Sequence, residues 1–293
     1  ATSGAPVTAK LVNGAALDSA LEGEQSAPVE VSSARFAAVA ATPTPRAHRA
    51  YVAVITNSGT KNLASSSALA TRLDRGLAYW RTEANEAITS FKRAAKLKRY
   101  ASSLGPQGRC GFSNPSSLWK EAARKFPTVN FNAAGNHLIV LVSDKCSDST
   151  GGIGTIGSSV GSGGLVTMGQ QSSIFTATLA HELGHNLSLD HANLCVSGCS
   201  SPDEYMNLYS VMGLAVSSKK PLGPPALDTV YRRQLGIVDE AEVETVPSGQ
   251  SVTRTLSPRG GTTGLRGLQV PVGGTTYWVD FRSGTGRDAS SYY

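Results

Sequence analysis

Three of the five histidines in this 293-residue chain lie within eleven positions, and this clustering constrains the fold more than any other feature. The run His181-Glu182-Leu-Gly-His185 falls near the end of a predicted helix over residues 174–187, which Ser173 can cap. Residues four apart share one helix face, so the imidazoles of His181 and His185 can reach a single metal ion. Zinc suits neutral imidazole, and three protein ligands would leave its fourth position open for water.

His191 can complete such a site only if the helix ends before it. On a continuing helix, at about 100° per residue, His191 would lie roughly 240° around the axis from His185 and point away. The long pattern H-E-x-x-H-x-x-G-x-x-H places a glycine at the break, where a left-handed conformation is cheap. This chain has Ser188 there. The conformation costs a non-glycine residue about 1–2 kcal/mol, which a bond from zinc to His191 can outweigh. Asp190 is the alternative third ligand.

Glu182 adjoins the first ligand and can reach the open position without binding the metal. There it can act as a general base on water whose pKa the ion has lowered, while the same ion polarises a carbonyl. The alternative is an ordinary amphipathic helix with partly exposed histidines. The other two histidines, His48 and His137, show no ligand spacing, and we interpret them as surface residues or as hydrogen-bonded core residues.

Charge and hydropathy exclude two classes of partner. The net charge is +6, but basic residues concentrate at 92–99 without interleaved aromatic side chains. This indicates a solvated basic face rather than a nucleic-acid site. The longest apolar runs, residues 50–55 and 138–142, are far shorter than the ~20 residues of a membrane-spanning helix. We therefore expect neither a nucleic-acid partner nor a membrane span.

The four cysteines form an even set without a Cys-x-x-Cys pair. This favours two disulfides in an oxidising compartment over a redox or zinc-thiolate site. We expect the pairs Cys110–Cys146 and Cys195–Cys199, with four free buried thiols as the alternative. Disulfides of this kind are typical of a secreted protein.

The remaining pattern alternates helices and strands through most of the chain. Residues 1–45 end in alternating prolines, which indicates an extended linker. A glycine- and serine-rich stretch over 151–164 lacks the Gly-Lys-Ser/Thr ending of a phosphate loop, and we interpret it as a flexible surface loop. Residues 88–100 fit neither period cleanly. The other segments predict strands over 50–56, 137–143 and 165–168, helices over 69–82, 114–126 and 225–236, and a strand-rich tail over 251–281.

With the motif of residues 181–191 in place, the sequence resembles the metzincin zinc endopeptidases. About twenty residues later, Tyr-Ser-Val-Met-Gly at 209–213 resembles the Met-turn of that family. The turn places a methionine beneath the metal as an apolar floor, and the resemblance gives that role to Met212; an ordinary core methionine is the alternative. A closer similarity is to gametolysin-like secreted peptidases, through His-Glu-Leu-Gly-His-Asn-Leu (181–187), Ser-Val-Met-Gly (210–213), Arg-Arg-Gln-Leu-Gly (232–236) and Tyr-Trp-Val-Asp-Phe-Arg (277–282).

The resemblance is specific over 181–213, looser over 50–180 and 214–285, and absent over 1–45. It implies an α/β (α+β) fold with a twisted mixed sheet, long helices that include the zinc helix, a Met-turn subdomain and a β-rich C-terminal extension. No tyrosine stands two residues after Met212, so the extra tyrosine ligand of some metzincins is not supported and the group that stabilises the oxyanion is open.

The resemblance also locates a substrate-binding edge. It implies that residues 88–97 form a strand, and it makes residues 164–168 the antiparallel edge strand beside the cleft. An exposed edge offers unpaired N–H and C=O groups with which an extended peptide can pair. The residues expected to bind substrate in this way are Gly164, Leu165, Val166 and Thr167.

Taken together, the sequence predicts a secreted, monomeric, zinc-dependent endopeptidase whose substrate is a polypeptide. His181, His185 and His191 would hold Zn²⁺, and Glu182 would activate water and then protonate the leaving amine. The competing hypotheses are a non-catalytic adhesive or matrix-binding module with a structural zinc site, and an amidase that acts on cell-wall peptide. Glu182 favours catalysis over the binding module, because a structural site needs no base and usually has a fourth protein ligand.

Four regions are expected along the chain: a linker or pro-segment remnant (1–45), an N-terminal catalytic subdomain with the zinc helix (46–192), a C-terminal subdomain with the Met-turn (193–245) and a β-rich extension (246–293). Many metzincins are kept latent by a cysteine from a pro-segment. No cysteine precedes Cys110, so that switch cannot operate within this chain. We hypothesise that activation cuts the chain near residues 46–49.

Overall fold

The computed structural model describes residues 7–11, 42–58, 63–84, 86–106, 108–143, 146, 151–170, 173–193, 203–214 and 222–289. Its strands are β1 (Val7–Leu11), β2 (Arg46–Ile55), β3 (Ile88–Arg93), β4 (Lys98–Tyr100), β5 (Asn136–Val142), β6 (Gly152–Gly154), β7 (Gly164–Gly169), β8 (Val243–Thr245), β9 (Val252–Leu256), β10 (Gly267–Val272) and β11 (Thr275–Asp280). Its α-helices are α1 (Ser66–Glu83), α2 (Pro115–Ala123), α3 (Phe175–Asn186) and α4 (Thr229–Gln234).

A mixed sheet of six strands lies at the centre, in the order β3-β2-β5-β7-β6, with β4 pairing farther along the same side of β2 as β3. Every pair in this sheet is parallel except β6 with β7. Parallel strands need their faces covered, and here α1 and α3 pack on one face while α2 packs on the other. This arrangement confirms the predicted α/β class with a mixed sheet.

The apolar periodicity of the helices explains which face each one buries. On α1, the side chains that recur at helical spacing (Leu69, Leu73, Leu77 and Trp80) are all buried against the sheet and α3. The indole N–H of Trp80 donates to the backbone carbonyl of Ala180 at 2.8 Å, which fixes α3 against α1. The position of α3 matters for function, because this is the helix that carries the histidine motif.

Three predicted helix starts have different outcomes. Asn114 begins α2 as predicted, since its side chain accepts from the N–H of Ser117 at 3.2 Å. The capping role of Ser173 is wrong, because α3 begins after Ile174 without a side-chain cap. The helix predicted over 225–236 is shorter than expected and begins only after Asp228, whose carboxylate caps it at Tyr231 N–H.

The edge strand of the sheet is not the one predicted. Residues 164–168 belong to β7, which is parallel to β5 and is covered on its other side by β6. The antiparallel edge is β6, inside the stretch over 151–164 that the sequence analysis interpreted as a loop. Glycine has low strand propensity, so the glycine-rich composition did not predict a strand here. The strand predicted over 88–97 is confirmed in part, as β3.

The C-terminal part forms two small sheets. Strand β10 pairs antiparallel with β11 and parallel with β8, and Val246, Leu256 and Leu268 form a separate apolar core there. Strand β9 pairs antiparallel with β1, so part of the predicted linker is a strand. Ion pairs join this region to the rest: the Arg287 guanidinium lies 2.6 Å from the carboxylate of Glu83, which is buried at the end of α1.

The predicted disulfide between Cys110 and Cys146 is present, with the two Cα atoms 5.5 Å apart. It ties a turn before α2 to the segment that follows β5. The other predicted pair, Cys195 and Cys199, lies outside the described residues. Among the residues described, no helix has the length and apolar character needed to cross a membrane.

His48 on β2 and His137 on β5 are buried side by side, which confirms their interpretation as hydrogen-bonded core residues. His48 Nδ1 lies 2.9 Å from His137 Nε2, and His137 Nδ1 lies 3.0 Å from Asn186 Oδ1. Because an amide oxygen only accepts, His137 is protonated on Nδ1 and accepts from His48. Burial, with smaller contributions from the charges of His137 and Arg46, lowers the pKa of His48 to about 3, and burial lowers the pKa of His137 to about 4.

We expect the free energy of unfolding to fall as the pH drops below about 6.5. The folded protein keeps both imidazoles neutral, whereas the unfolded chain protonates them near their ordinary pKa, so acid favours the unfolded state. Each histidine contributes a loss of about 2 kcal/mol between about pH 7.5 and pH 5. Urea denaturation at the two pH values measures this, and His48→Leu should lose about 2 kcal/mol less than the wild type. An equal loss in both proteins would contradict the assignment.

Candidate metal centre

Helix α3 presents His181 and His185 on one face near its end, with ring centroids 4.9 Å apart. Between them, Gly184 faces Met212 and Trp80 so closely that an added Cβ would collide with the Met212 sulfur. The helix is therefore seated directly on these two side chains, and the glycine at this position allows that approach. The two imidazoles therefore project from a firmly packed helix end.

The chain reverses direction immediately after α3. Ser188 has φ = 84°, which is the left-handed conformation predicted for the break before His191. Around this residue, the N–H of Leu189 donates to Gly184 O and that of Ser188 to His185 O, both at 3.0 Å. The Ser188 carbonyl accepts from the side-chain amide of Gln234 on α4 at 3.0 Å. These three hydrogen bonds hold a backbone conformation that is unfavourable for serine on its own.

The reversal brings His191 to the two helix histidines. Its ring centroid lies 4.7 Å from that of His185 and 5.5 Å from that of His181. One nitrogen from each of the three rings lies within 4.8 Å of the others, which a single ion can bridge. Asp190, the alternative third ligand, is exposed and accepts a hydrogen bond from the N–H of His191 at 2.8 Å.

Each of the three imidazoles uses its Nδ1 atom to make a hydrogen bond away from the cluster. His181 donates to the carbonyl of Val211 at 3.0 Å, and His185 donates to that of Leu189 at 2.8 Å. His191 Nδ1 lies 2.7 Å from the carboxylate of Glu204. Bonds of this kind fix the ring orientation and the tautomer of histidines that bind metals. They leave the three Nε2 atoms available to face one ion.

The donor set fits zinc. Neutral imidazole is the form that binds the metal, and burial lowers the pKa of His181 to about 3 and lowers that of His185. Within the described residues, no fourth histidine, cysteine or carboxylate joins the group. Three nitrogen ligands with an open position are typical of catalytic rather than structural zinc sites.

Glu182 lies next to this group but turns toward the edge strand. Its side chain is only 4% exposed, and a Cβ added to Gly152 on β6 would stand 2.5 Å from its carboxylate oxygen. A Cβ on Gly154 would stand 2.7 Å from the backbone carbonyl oxygen of Glu182 and 3.1 Å from its other carboxylate oxygen. Burial raises the pKa of Glu182 to about 8. The two glycines thus make room for a buried carboxyl group between the helix and the strand.

Met212, to which the resemblance gives the Met-turn role, is fully buried, and its sulfur lies against Gly184 of α3. Its carbonyl accepts from the N–H of Ala192 at 3.0 Å, directly after His191. The hydroxyl of Ser210 donates to the buried carboxylate of Asp228 at 2.9 Å, which anchors the turn to the cap of α4. The turn is therefore bonded both to the third histidine's segment and to the following helix.

The four residues predicted to bind substrate are not at an open edge. Gly164, Leu165, Val166 and Thr167 lie on β7 between two neighbouring strands, and the carbonyl of Leu165 accepts from the N–H of Thr155 at 2.9 Å. Their position follows from the β6 pairing described above. The edge available to an extended peptide is the outer side of β6.

Two residues near the cluster were not predicted from the sequence. They are Glu204, the partner of His191, and Tyr205, whose ring centroid lies 3.8 Å from that of His191 and 6.0 Å from that of His181. Both belong to the loop that precedes the Met-turn, and no spacing rule connects this loop with α3. Burial and the neighbouring carboxylates, Glu204 first, raise the pKa of Tyr205.

A match to a known protein family agrees with this geometry. Residues 82–192 match the family described as "Metallo-peptidase family M12B Reprolysin-like", and the matched segment includes the three histidines. The crystal structure of metalloproteinase-II from Bacteroides fragilis is similar at 13% identity and a TM-score of 0.43, over 66% of this chain and 53% of that one. The alignment thus spans about half of that protein. No curated protein matches at a significant level. The family match and the histidine cluster support a zinc metallopeptidase site at this end of α3.

We expect Ser188→Gly to raise the free energy of unfolding by about 1 kcal/mol, since glycine adopts the left-handed conformation without the penalty that serine incurs. Zinc affinity should be at least as high as in the wild type. Urea denaturation and competition with a zinc chelator measure the two quantities. Ser159→Gly is the control, because Ser159 is exposed and its φ is not positive, so that change should destabilise by about 0.5–1 kcal/mol. Markedly weaker zinc binding by Ser188→Gly would show that the account of the bend is wrong.

Glu204→Gln should lower zinc affinity by about 10- to 100-fold, because the amide holds the His191 ring less strongly than the carboxylate does. The matched control is Glu86→Gln, at an exposed position after α1. Chelator competition on the two variants and the wild type gives the comparison. Equal affinities in all three proteins would mean that Glu204 has no part in orienting His191.

Proposed function

We propose that the protein is a secreted zinc-dependent endopeptidase of the gametolysin-like type. The observation that carries this proposal is the arrangement of His181, His185 and His191, whose Nδ1 atoms are all engaged elsewhere and whose remaining ring nitrogens converge. The buried carboxyl group of Glu182 adjoins them. Metal-assisted hydrolysis of an amide bond requires an open metal site next to a carboxyl group.

The three histidines would hold the zinc ion. When bound, zinc supplies Lewis acidity, which lowers the pKa of water and polarises a carbonyl group. The protein contributes the fixed orientation of the rings and the apolar floor formed by Met212 beneath α3. The fourth position stays free because the described residues offer no further ligand there.

Glu182 would transfer one proton in two steps of the reaction. Its carboxylate takes a proton from water while the water oxygen bonds to the carbonyl carbon and the π electrons of the C=O bond move to its oxygen. The electron pair on that oxygen then re-forms the C=O bond, the C–N bond breaks with its electrons remaining on nitrogen, and Glu182 passes the proton to the leaving amine. Burial of the carboxyl group raises its affinity for a proton, which suits a group that must first accept and then release one.

The substrate would bind in an extended conformation along the outer edge of β6. That strand is one edge of the sheet within the described residues, and Gly152 and Gly154 on it stand against Glu182. A peptide paired with this edge would therefore run beside the carboxyl group and the three histidines. Main-chain pairing of this kind is a general way to bind polypeptides with limited dependence on their sequence.

Several further properties belong to the same proposal. The disulfide between Cys110 and Cys146 supports secretion, because disulfides persist in oxidising compartments. We propose a monomer with a catalytic part over 46–245 and a β-rich extension over 246–293. The adhesive or matrix-binding alternative is less well supported, because a structural zinc site usually has four protein ligands. A cell-wall amidase would use the same residues, and its substrate is tested separately below.

Glu182→Ala should reduce casein or gelatin cleavage by about 10²- to 10⁴-fold while zinc content stays at the wild-type level. The control is Glu86→Ala, which removes an exposed carboxylate far along the chain from the motif. Cleavage is followed by release of labelled fragments and zinc by elemental analysis of the same samples. Equal activity with and without Glu182 would overturn the mechanism. Bound zinc with no cleavage of any polypeptide would favour the binding module, and cleavage of cell-wall peptide alone would favour the amidase.

A further inference from the structure

The proposed reaction leaves one requirement unassigned. When water attacks a peptide carbonyl, negative charge collects on the carbonyl oxygen, and a hydrogen-bond donor aimed at that oxygen lowers the barrier. Among the described residues, the side chains so far placed at the cluster are three imidazoles with occupied Nδ1 atoms, the carboxylates of Glu182 and Glu204, and the apolar Met212. None of these offers a spare donor.

Tyr205 is a side chain next to the cluster that carries one. Its ring lies against the ring of His191, with the centroids 3.8 Å apart and the planes inclined by 41°. It also lies 6.0 Å from the ring of His181, inclined by 29°. The phenol thus borders two of the three histidines.

The backbone holds Tyr205 in this place from both sides. Its N–H donates to the side-chain oxygen of Asn193 at 3.1 Å, and its carbonyl accepts from the N–H of Leu214 at 2.8 Å. Asn193 stands two residues after His191, and Leu214 stands two residues after Met212. The backbone of the tyrosine is therefore hydrogen-bonded both to the segment that follows His191 and to the segment that follows the Met-turn.

The conformation of Tyr205 is also unfavourable for its residue type. It has φ = 65°, one of three positive values at non-glycine residues in the described part of the chain, and another of the three is Ser188. Strained residues of this kind concentrate at functional sites, where the surrounding structure over-determines them. Two of the three strained positions here thus flank the histidine cluster.

The hydroxyl of Tyr205 is available for a ligand. It makes no hydrogen bond to another residue in the part of the chain that the structure describes, whereas the backbone N–H and carbonyl of the same residue are both paired. A phenol has one O–H to donate, and its ordinary pKa of about 10 keeps it protonated at neutral pH. The side chain is half-buried, so a substrate in the cleft can reach it.

We propose that the Tyr205 hydroxyl donates a hydrogen bond to the carbonyl oxygen of the scissile peptide bond as that oxygen gains negative charge. The tyrosine keeps its proton throughout and makes a stronger bond to the anionic oxygen than to the neutral carbonyl. This role makes Tyr205 a catalytic residue in addition to Glu182. The inference rests on the proposed peptidase function and assigns its missing donor.

The test compares Tyr205→Phe, which keeps the aromatic ring and loses only the hydroxyl, with Tyr51→Phe as the control. Tyr51 packs against Phe126 and Phe131 on the opposite face of the sheet from α3. For Tyr205→Phe we expect kcat on a casein-derived peptide to fall about 100-fold while KM stays close to the wild-type value. Tyr51→Phe should match the wild type.

A binding measurement separates this role from a structural one. The probe is a phosphinic pseudopeptide with the sequence of the cleaved casein bond, whose tetrahedral anionic group resembles the transition state. Its affinity for Tyr205→Phe, measured by calorimetry, should fall by about the same factor as kcat. Zinc affinity from chelator competition should be unchanged.

Each other outcome has a definite meaning. Wild-type kcat and wild-type phosphinate affinity in Tyr205→Phe would overturn the inference and leave the proposed function standing. A loss of zinc affinity as large as the loss of kcat would also overturn it, because the hydroxyl would then act on the metal site itself. If even the wild-type protein neither cleaves the peptide nor binds the pseudopeptide, the proposed function fails, and the inference fails with it.

Discussion

The site depends above all on the hydrogen bonds that the three histidines make with their outer nitrogens. Val211 belongs to the Met-turn, Leu189 to the reversal after α3, and Glu204 to the loop before the turn. An imidazole held at one nitrogen cannot rotate the other away from its neighbours. Each ring is thus oriented by a different segment, so the cluster forms only when all of these segments have folded against α3. The site therefore depends on the Met-turn and on the loop before it as well as on α3.

Glycines at two positions allow α3 to pack closely against its neighbours at the site. Gly184 lets α3 rest on Met212 and Trp80, which supports the helix from below. Gly152 lets strand β6 rest against Glu182, which closes the helix from the side. A larger side chain at either position would separate surfaces that must touch. Protein interiors are packed so closely that one extra methyl group is not accommodated freely. The structure therefore requires that these two positions carry no side chain.

The sequence predicted the features that depend on local spacing. The interval between His181 and His185 fixes a shared helix face, Asn114 followed by proline marks the start of α2, and the bend at Ser188 follows from the angular position of His191. Features that depend on distant partners were missed. Strand β6 has glycine where strands usually have branched residues, and it exists because it pairs with β7. Glu204 and Tyr205 reach the cluster through a loop whose path no periodicity describes.

Strand β1 lies near one end of the chain, and its partner β9 lies near the other. While the chain between them is continuous, each strand meets the other at a high effective concentration, and dilution cannot separate them. A single cut before β2 would turn the same five residue pairs into a bimolecular complex between a peptide and a protein. A two-stranded ladder of that length is marginal in water. After the cut, the pairing of β1 with β9 would therefore be lost on dilution. The edge of β9 would then be exposed, and another extended segment could pair with it.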